Sequence, residues 1–204
     1  MPRSRFVELA ALAEENDGLV TAEQARAAGF TDSVLARLVQ RRRIERIARG
    51  VYRIPYFSPG QFSQYREAVL WAKATRGPDP VALSHETALA VYGISDANPA
   101  SIHLTVPSTA RLRRRIPKGI LVHHGDLSAN DIAVQEGIPV TTIERTIADL
   151  LHSGGRTDLL KQAVSDARRE GYITEADAAR LRRRIESHLK SLRSSTKTPE
   201  PATA

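Results

Sequence analysis

Apolar and polar residues follow a helical period at the start of the chain and a two-residue period shortly afterwards. Apolar side chains recur at three- and four-residue steps from Phe6 to Ala13, which predicts an amphipathic helix over about residues 3–15. Thr21-x-x-Gln24 is a capping box, in which each side chain satisfies a backbone N–H of the other residue. The pattern therefore predicts that a second helix begins just after Thr21.

A third helix follows a turn at Gly29, and it is predicted to begin at Thr31 or Asp32. Its two sides differ in polarity. The predicted inward side consists of Val34, Leu35, Leu38 and Val39, and the predicted outward side consists of Ser33, Ala36, Arg37, Gln40 and Arg41. Two short helices joined at a glycine turn are typical of a helix-turn-helix.

The two-residue period begins after this third helix. Residues 43–47 and 51–54 alternate in polarity and flank the turn sequence Ala48-Arg49-Gly50, which predicts a β-hairpin. The apolar pair Leu19-Val20 is short and could pair with that hairpin as a further strand. Helix-turn-helix and hairpin together predict a winged helix-turn-helix domain over residues 1–56.

The predicted winged helix is strongly basic on one side. Between Arg37 and Arg53 the chain has seven arginines and one acidic residue. Arg37 and Gln40 are placed to contact base edges in the major groove, and the other side chains are placed nearer to phosphate. The predicted DNA-binding residues are Thr31, Ser33, Arg37, Gln40, Arg41, Arg43, Arg46, Arg49 and Arg53. The alternative is a winged helix used only for protein contacts.

The remainder of the chain predicts an α+β domain over residues 61–193, preceded by a linker at Pro55–Gly60. Predicted strands lie at 81–83, 101–107, 119–124 and 138–141, and predicted helices lie at 61–76, 85–92, about 141–153, 156–170 and 175–192. Ser84, Thr141 and Thr174 are expected to cap three of these helices. Residues 194–204 lack large apolar side chains and predict a disordered tail.

The net charge of +7 is concentrated in the first two thirds of the chain. Lys and Arg exceed Asp and Glu by 10 to 7 over residues 1–56 and by 8 to 4 over residues 57–124, and the counts are equal over residues 125–204. This distribution favours a polyanionic partner. A second basic patch is formed in the sequence by Arg111, Arg113, Arg114, Arg115 and Lys118. It is expected on a loop or a hairpin tip and could contact DNA, an acidic protein or only solvent.

Composition excludes several classes of protein. The 204 residues contain no cysteine, so disulfides and thiolate metal sites are impossible. No apolar run is long enough to cross a bilayer, and acidic residues interrupt the N-terminal apolar stretch, so neither a membrane partner nor a signal peptide is expected. We therefore predict a cytoplasmic protein.

No catalytic constellation stands out in the sequence. His123 and His124 are successive strand residues that should face opposite sides of a sheet, so they cannot both bind one ion. Asp126, Asp131 and Glu136 could converge as in a metal-dependent nuclease, but their spacing does not match such sites. We therefore predict no enzyme activity, no cofactor and no metal, with a nuclease or nucleotidyl-transfer enzyme as a minor alternative.

Several phrases of the sequence occur in a recognisable order. They are RIARGVYRIP, LSHETALAVYGI, SIHLTVP with the arginine-rich stretch after it, ILVHHGDL and IPVTTIERTIADLL. In order and spacing, over about residues 5–170, the chain resembles the AbiEi antitoxins of type IV toxin–antitoxin and abortive-infection systems. The residues that match the C-terminal phrases are Ser84, His85, Thr105, Thr142, Glu144, Arg145, Thr146 and Asp149.

This resemblance implies a winged helix that binds inverted repeats in its own promoter and represses its operon. It also implies an α+β antitoxin domain that counteracts a nucleotidyltransferase-like toxin, without requiring a stable complex with it. Some relatives carry an added endonuclease-like domain, but the helix and tail after residue 175 predict none here. The alternative function is a winged-helix transcriptional regulator whose second domain senses a small molecule, which a closed apolar pocket within residues 57–170 would favour.

Overall fold

The computed structural model describes residues 5–14, 16–73, 79–112 and 115–195, with side chains up to residue 192. The helices are α1 (Arg5–Glu14), α2 (Ala22–Ala27), α3 (Asp32–Gln40), α4 (Ser63–Lys73), α5 (His85–Tyr92), α6 (Ile143–His152), α7 (Thr157–Arg169) and α8 (Glu175–Ser195). The strands are β1 (Leu19–Thr21), β2 (Glu45–Ala48), β3 (Val51–Arg53), β4 (Ala82–Leu83), β5 (Ile102–Val106), β6 (Ile120–His124), β7 (Ile132–Gln135) and β8 (Ile138–Thr141). The predicted α+β class is confirmed. Most of the predicted tail, residues 196–204, lies outside the described residues.

Residues 5–57 form a winged helix-turn-helix with a core of its own. Strands β2 and β3 make the wing, and β1 pairs antiparallel with β3, so that Leu19 lies opposite Arg53. The pairing suggested for Leu19-Val20 is therefore confirmed. The core is formed by Leu9, Ala13, Val20, Ala25, Phe30, Leu35, Ile44, Tyr52 and Ile54. The capping box is also present, because the Thr21 N–H donates to Gln24 Oε1 at 2.9 Å and the Gln24 N–H donates to Thr21 Oγ1 at 3.1 Å.

A five-stranded mixed sheet in the order β6-β5-β4-β8-β7 organises the rest of the described chain. Strand β4 pairs antiparallel with β5 and parallel with β8, and β5 pairs parallel with β6. Because parallel neighbours cannot be joined by a hairpin, the connection from β5 to β6 is a crossover. The hairpin-tip alternative for the second basic patch is therefore wrong. Arg113 and Arg114 of that patch lie outside the described residues.

Two other expectations, on helix capping, were wrong. The hydroxyl of Thr142, not Thr141, caps α6 by accepting the Arg145 N–H at 3.4 Å. Thr141 is buried at the end of β8 and its hydroxyl lies 2.7 Å from the Thr146 hydroxyl. Ser84 stands at the N-cap of α5, but its side chain makes no capping bond and instead lies 3.0 Å from His85 Nδ1.

Strand β7 was not predicted. It runs along the edge of the sheet, antiparallel to β8, and Val134 on it is 67% exposed. A short edge strand with one solvent-exposed face lacks the dense apolar pattern that identifies buried strands, so the sequence pattern did not reveal it.

The second core lies between this sheet and the helices. Ala82 and Leu83 are successive residues of β4 and both are fully buried, so both faces of the central strand are covered. Helix α4 packs against β4, β5 and β8, α5 packs against β5 and β8, and α6 packs against α5, α7 and α8. Helix α5 ends at Gly93, whose φ of 66° is the left-handed conformation that glycine adopts without strain. None of the described helices is both long enough and apolar enough to cross a membrane.

Polar contacts join the winged helix to the sheet domain. Asp17 Oδ2 accepts hydrogen bonds from Ser63 Oγ at 2.9 Å and from Arg66 Nε at 3.3 Å. Arg53 of the wing forms an ion pair with Glu67 on α4. These contacts place α4 against the wing and against the turn that follows α1.

Candidate nucleic-acid interface

The third helix of the winged helix presents a polar face to solvent. Leu35 is fully buried, whereas Ser33, Arg37 and Gln40 are exposed. Thr31 is confirmed as the N-cap: its hydroxyl accepts the Val34 N–H at 3.4 Å and lies 2.9 Å from the Ser33 hydroxyl. The exposed face therefore carries two side chains that can pair with base edges, next to a helix N-terminus that can bind phosphate.

The predicted arginines of the wing differ in their surroundings. Arg41 and Arg46 are exposed, and Arg49 lies at the exposed turn of the hairpin. The Arg43 guanidinium lies over the Phe6 ring, 4.3 Å from its centroid. Arg53 is only 31% exposed and is paired with Glu67. Most of these cations are thus exposed, whereas Arg53 is engaged by Glu67.

The second basic patch lies near the wing. Arg111, Arg115 and Lys118 are exposed on the crossover that follows β5. Lys118 and Ile47 of the wing line the same open cleft, of about 240 Å³, whose floor includes Trp71. Lys118 is therefore close to strand β2, a proximity that the sequence does not indicate.

The three carboxylates considered for catalysis do not converge on a common point. Asp126 accepts a hydrogen bond from Ser108 Oγ at 2.6 Å, and this bond lowers the pKa of Asp126. Asp131 accepts one from Ser128 Oγ at 2.6 Å, which likewise lowers the pKa of Asp131. Arg145 occupies the space between them, bonded to the Asp126 carbonyl at 2.7 Å and lying 3.5 Å from Asp131.

Asp126 and Asp131 are each engaged by a serine hydroxyl and lie beside Arg145, so these groups fit an ion-pair network better than a nuclease centre. Glu136 lies on the turn between β7 and β8, where its backbone carbonyl accepts a hydrogen bond from Arg66 at 3.0 Å.

The histidines are arranged in a way that the sequence does not reveal. His123 is partly buried and His124 is exposed, as expected for successive strand residues. However, His123 stacks on His85, with 3.8 Å between ring centroids, and its Nε2 lies 3.0 Å from His103 Nδ1. The three residues are far apart in sequence and meet only because β4, β5 and β6 are neighbours. No local spacing could have identified this cluster.

Family models match two segments that together cover most of the chain. Residues 7–55 match a model described as "Transcriptional regulator, AbiEi antitoxin", and residues 81–188 match the "AbiEi antitoxin C-terminal domain". The chain belongs to the AbiEi antitoxin family. It is therefore a DNA-binding antitoxin of the transcriptional-regulator type, and the resemblance found in its sequence phrases is confirmed.

A solved structure supports the fold of this AbiEi antitoxin. The chain is similar to the RV2827C protein from Mycobacterium tuberculosis, with a TM-score of 0.53 and 14% sequence identity. The alignment covers 87% of this chain and 71% of that one. At this identity the likeness concerns the fold alone. No curated protein matches the sequence.

Proposed function

We propose that this AbiEi antitoxin represses its own operon by binding inverted repeats in its promoter. The observation that carries the proposal is the exposed polar face of α3, in which Arg37 and Gln40 stand free of the core while Leu35 anchors the opposite side. Arginine pairs with guanine and glutamine with adenine through two hydrogen bonds each. Helix α3 is thus equipped to read sequence as well as to bind phosphate.

The proposed interface extends from α3 to the wing. Arg41 is exposed at the end of α3, Arg46 is exposed on β2 and Arg49 stands at the wing turn, where these cations can reach phosphate or the adjacent minor groove. Thr31, Ser33 and Arg43 complete the interface near the start of α3 and beside α1. We leave Arg53 out of the proposed interface, because its guanidinium is engaged by Glu67.

The second basic patch supplies a further contribution to phosphate binding in this proposal. Lys118 lies at the edge of the cleft that Ile47 of the wing also lines, so the positive surface continues from the wing onto the crossover. Positive charge that lies beside a DNA-reading helix increases affinity for all sequences and makes binding dependent on salt.

The promoter test compares two duplexes of equal length. One contains the inverted repeat found upstream of the operon and the other contains the same bases in scrambled order. Fluorescence anisotropy with the full chain is expected to give at least about a thousandfold tighter binding to the repeat, as specific regulators do. Equal affinity for the two duplexes would contradict sequence-specific repression.

We further propose that the protein counteracts a nucleotidyltransferase-like toxin without catalysis and without a stable complex. Family membership supports the antitoxin role, and the position of Arg145 among the acidic residues supports the absence of catalysis. The test is growth after induction of the toxin gene adjacent to this one, with and without the antitoxin. If an Arg37→Ala variant no longer represses the promoter but still rescues growth, toxin neutralisation is separate from DNA binding. If the wild-type chain does not rescue growth, it is not the antitoxin of that toxin.

The clefts lined by described residues give no specific support to the ligand-sensing alternative. Three clefts lined by described residues have volumes of about 240, 290 and 370 Å³ and all open onto the surface. Sensor domains hold their ligands in sites that enclose most of the ligand surface.

A further inference from the structure

His85, His103 and His123 form a compact cluster on one side of the five-stranded sheet. His85 follows β4 at the start of α5, His103 lies on β5 and His123 lies on β6. Each residue offers one ring nitrogen, and these three nitrogens lie within 4.8 Å of one another. The cluster therefore has the residue type, the number of residues and the proximity that a transition-metal site requires.

We propose that His85, His103 and His123 together bind one divalent transition-metal ion of the zinc type. In a tetrahedral zinc site the Zn–N bonds are about 2.0–2.1 Å, which places pairs of ligand nitrogens about 3.4 Å apart. The distance of 3.0 Å between His103 Nδ1 and His123 Nε2 is already close to this value. Three imidazoles and no cluster of oxygen ligands favour zinc or a similar metal over magnesium or calcium.

Ring orientation and the tautomer of one histidine must change for an ion to bind, because the hydrogen bond between His103 Nδ1 and His123 Nε2 has a proton on one of these nitrogens. The His85 and His123 rings are inclined by 18° and the His103 and His123 rings by 14°, so their in-plane lone pairs run nearly parallel. Rotation about the Cβ–Cγ bonds would make the lone pairs converge. That torsion is broad and has a low barrier in histidine, so the change requires no movement of the backbone.

The cluster is kept in the protonation state that binds metal. Burial, and then the neighbouring His123 and His103, lower the pKa of His85 from 6.5 to about 3. Burial also lowers the pKa of His103 and the pKa of His123. Neutral imidazole is the form that donates a lone pair to a metal.

Polar groups around the cluster fit the same role. His85 Nδ1 lies 3.0 Å from Ser84 Oγ, a contact that leaves Nε2 of the same ring for the ion. Metal-binding histidines commonly use their second nitrogen in this way, and the contact fixes the orientation of the ring. His85 also has a φ of 53°, an unusual conformation for a non-glycine residue that is more common at functional sites.

Two buried oxygens next to the cluster have no hydrogen-bond partner among the described residues. They are Thr105 Oγ1 and Asp149 Oδ2, and both residues line a cleft of about 370 Å³ together with His85 and His123. Buried polar atoms without partners commonly mark the position of a water or an ion. Burial lowers the pKa of His123 and the nearby Asp149 carboxylate partly opposes that lowering, and a carboxylate beside a metal-binding histidine increases its basicity.

The cleft also provides access and an open coordination position. Three protein nitrogens leave the fourth position of a tetrahedral ion for water. Arg145 lines the same cleft, but its charge is balanced by Asp149, 2.8 Å away, and by Asp131. The local charge therefore does not oppose a cation as strongly as an unpaired guanidinium would.

To test the proposal, the full chain is treated with a chelator to remove metal and is then titrated with zinc at neutral pH. Isothermal titration calorimetry measures the affinity and the number of ions bound. We expect one ion per chain. Cobalt provides a second readout, because four-coordinate cobalt absorbs strongly in the visible range and hexaaqua cobalt does not. The variants are His103→Ala and His123→Gln, and the matched control is His124→Ala, which removes an exposed histidine adjacent in sequence to the cluster.

Loss of one ligand should weaken zinc binding by at least about tenfold and remove the cobalt absorption, whereas the His124→Ala variant should bind as the wild type does. Circular dichroism of the metal-free variants checks that they fold. Absence of zinc binding by the folded wild-type chain overturns the proposal. Equal weakening by His103→Ala and His124→Ala also overturns it, because the ion would then bind at the surface. The zinc proposal does not rest on DNA binding. A negative zinc titration would therefore leave the promoter-binding proposal intact, and a negative promoter-binding result would leave the zinc proposal intact.

Discussion

Asp17 and Arg66 connect the winged helix to the sheet domain through a partly buried ion pair, with 3.3 Å between Asp17 Oδ2 and Arg66 Nε. The arginine side chain is only 14% exposed and the aspartate side chain 29%. The same carboxylate oxygen accepts the Ser63 hydroxyl at 2.9 Å, and a second arm of Arg66 donates to the Glu136 carbonyl at 3.0 Å. One carboxylate thus fixes the start of α4 relative to the end of α1.

Replacement of Asp17 by alanine should destabilise the protein by about 1–3 kcal/mol, because it leaves a mostly buried guanidinium without its carboxylate. Asp17→Asn should cost less, since asparagine keeps a hydrogen-bond acceptor for Ser63 and tolerates the positive φ of 52° at this position. Urea unfolding measures both. The control is Glu170→Gln, which breaks an exposed pair with Arg169 and should leave stability unchanged. If Asp17→Ala also left the stability unchanged, the Asp17–Arg66 ion pair would not stabilise the contact between the two domains.

Arg37→Ala should lower operator affinity by about 1–3 kcal/mol and lower affinity for random DNA much less. The reason is that a bidentate contact to guanine discriminates between bases, whereas a phosphate contact does not. Anisotropy on repeat and scrambled duplexes measures the difference, with Arg183→Ala on α8 as the control arginine outside the winged helix. Equal losses on the two duplexes would assign Arg37 to phosphate.

Arg53 and Arg46 should behave differently although both lie on the wing. Arg46→Ala should reduce the salt dependence of DNA binding by about one unit of slope, whereas Arg53→Ala should leave the slope unchanged because Glu67 engages that side chain. In a double-mutant cycle, Arg53 and Glu67 should couple by about 0.5–1 kcal/mol, since both are partly exposed. A reduced slope for Arg53→Ala would return Arg53 to the DNA interface.

The free energy of unfolding should fall at alkaline pH because of Tyr92. Burial, and then Tyr172 nearby, raise the pKa of Tyr92 from 10.0 to about 12, and its hydroxyl donates to the Thr141 carbonyl at 3.2 Å. Above pH 10 the unfolded chain releases this proton while the folded chain keeps it. The contribution is therefore fully present below pH 10 and is lost as the pH rises towards 12.

Tyr92→Phe should be less stable than the wild type at neutral pH by about 0.5–1.5 kcal/mol, because the hydrogen bond is lost. The difference should shrink as the pH passes 10, since phenylalanine has no proton to release. Tyr56→Phe, at a position that is 73% exposed, serves as the control. A difference that stays constant through the alkaline range would disprove the linkage.

Local patterns in the sequence determined most of the elements. Helical spacing, capping residues and glycine turns identified the winged helix, and the Thr21–Gln24 capping box and the end of α5 at Gly93 formed as predicted. These features depend on residues within a few positions of each other, so the chain alone specifies them. The limits proposed for the domains, 1–56 and 61–193, stay a prediction.

The tertiary structure decided how distant segments meet, and this decided which side chains are available. Arg53 and Arg46 both lie on predicted wing strands, but the packing of α4 gives Arg53 a carboxylate partner that the sequence does not indicate. The parallel pairing of β5 with β6 turned a possible hairpin tip into a crossover beside the wing. His85, His103 and His123 met for the same reason, because strand order is set by long-range hydrogen bonding and burial rather than by any pattern that neighbouring residues carry.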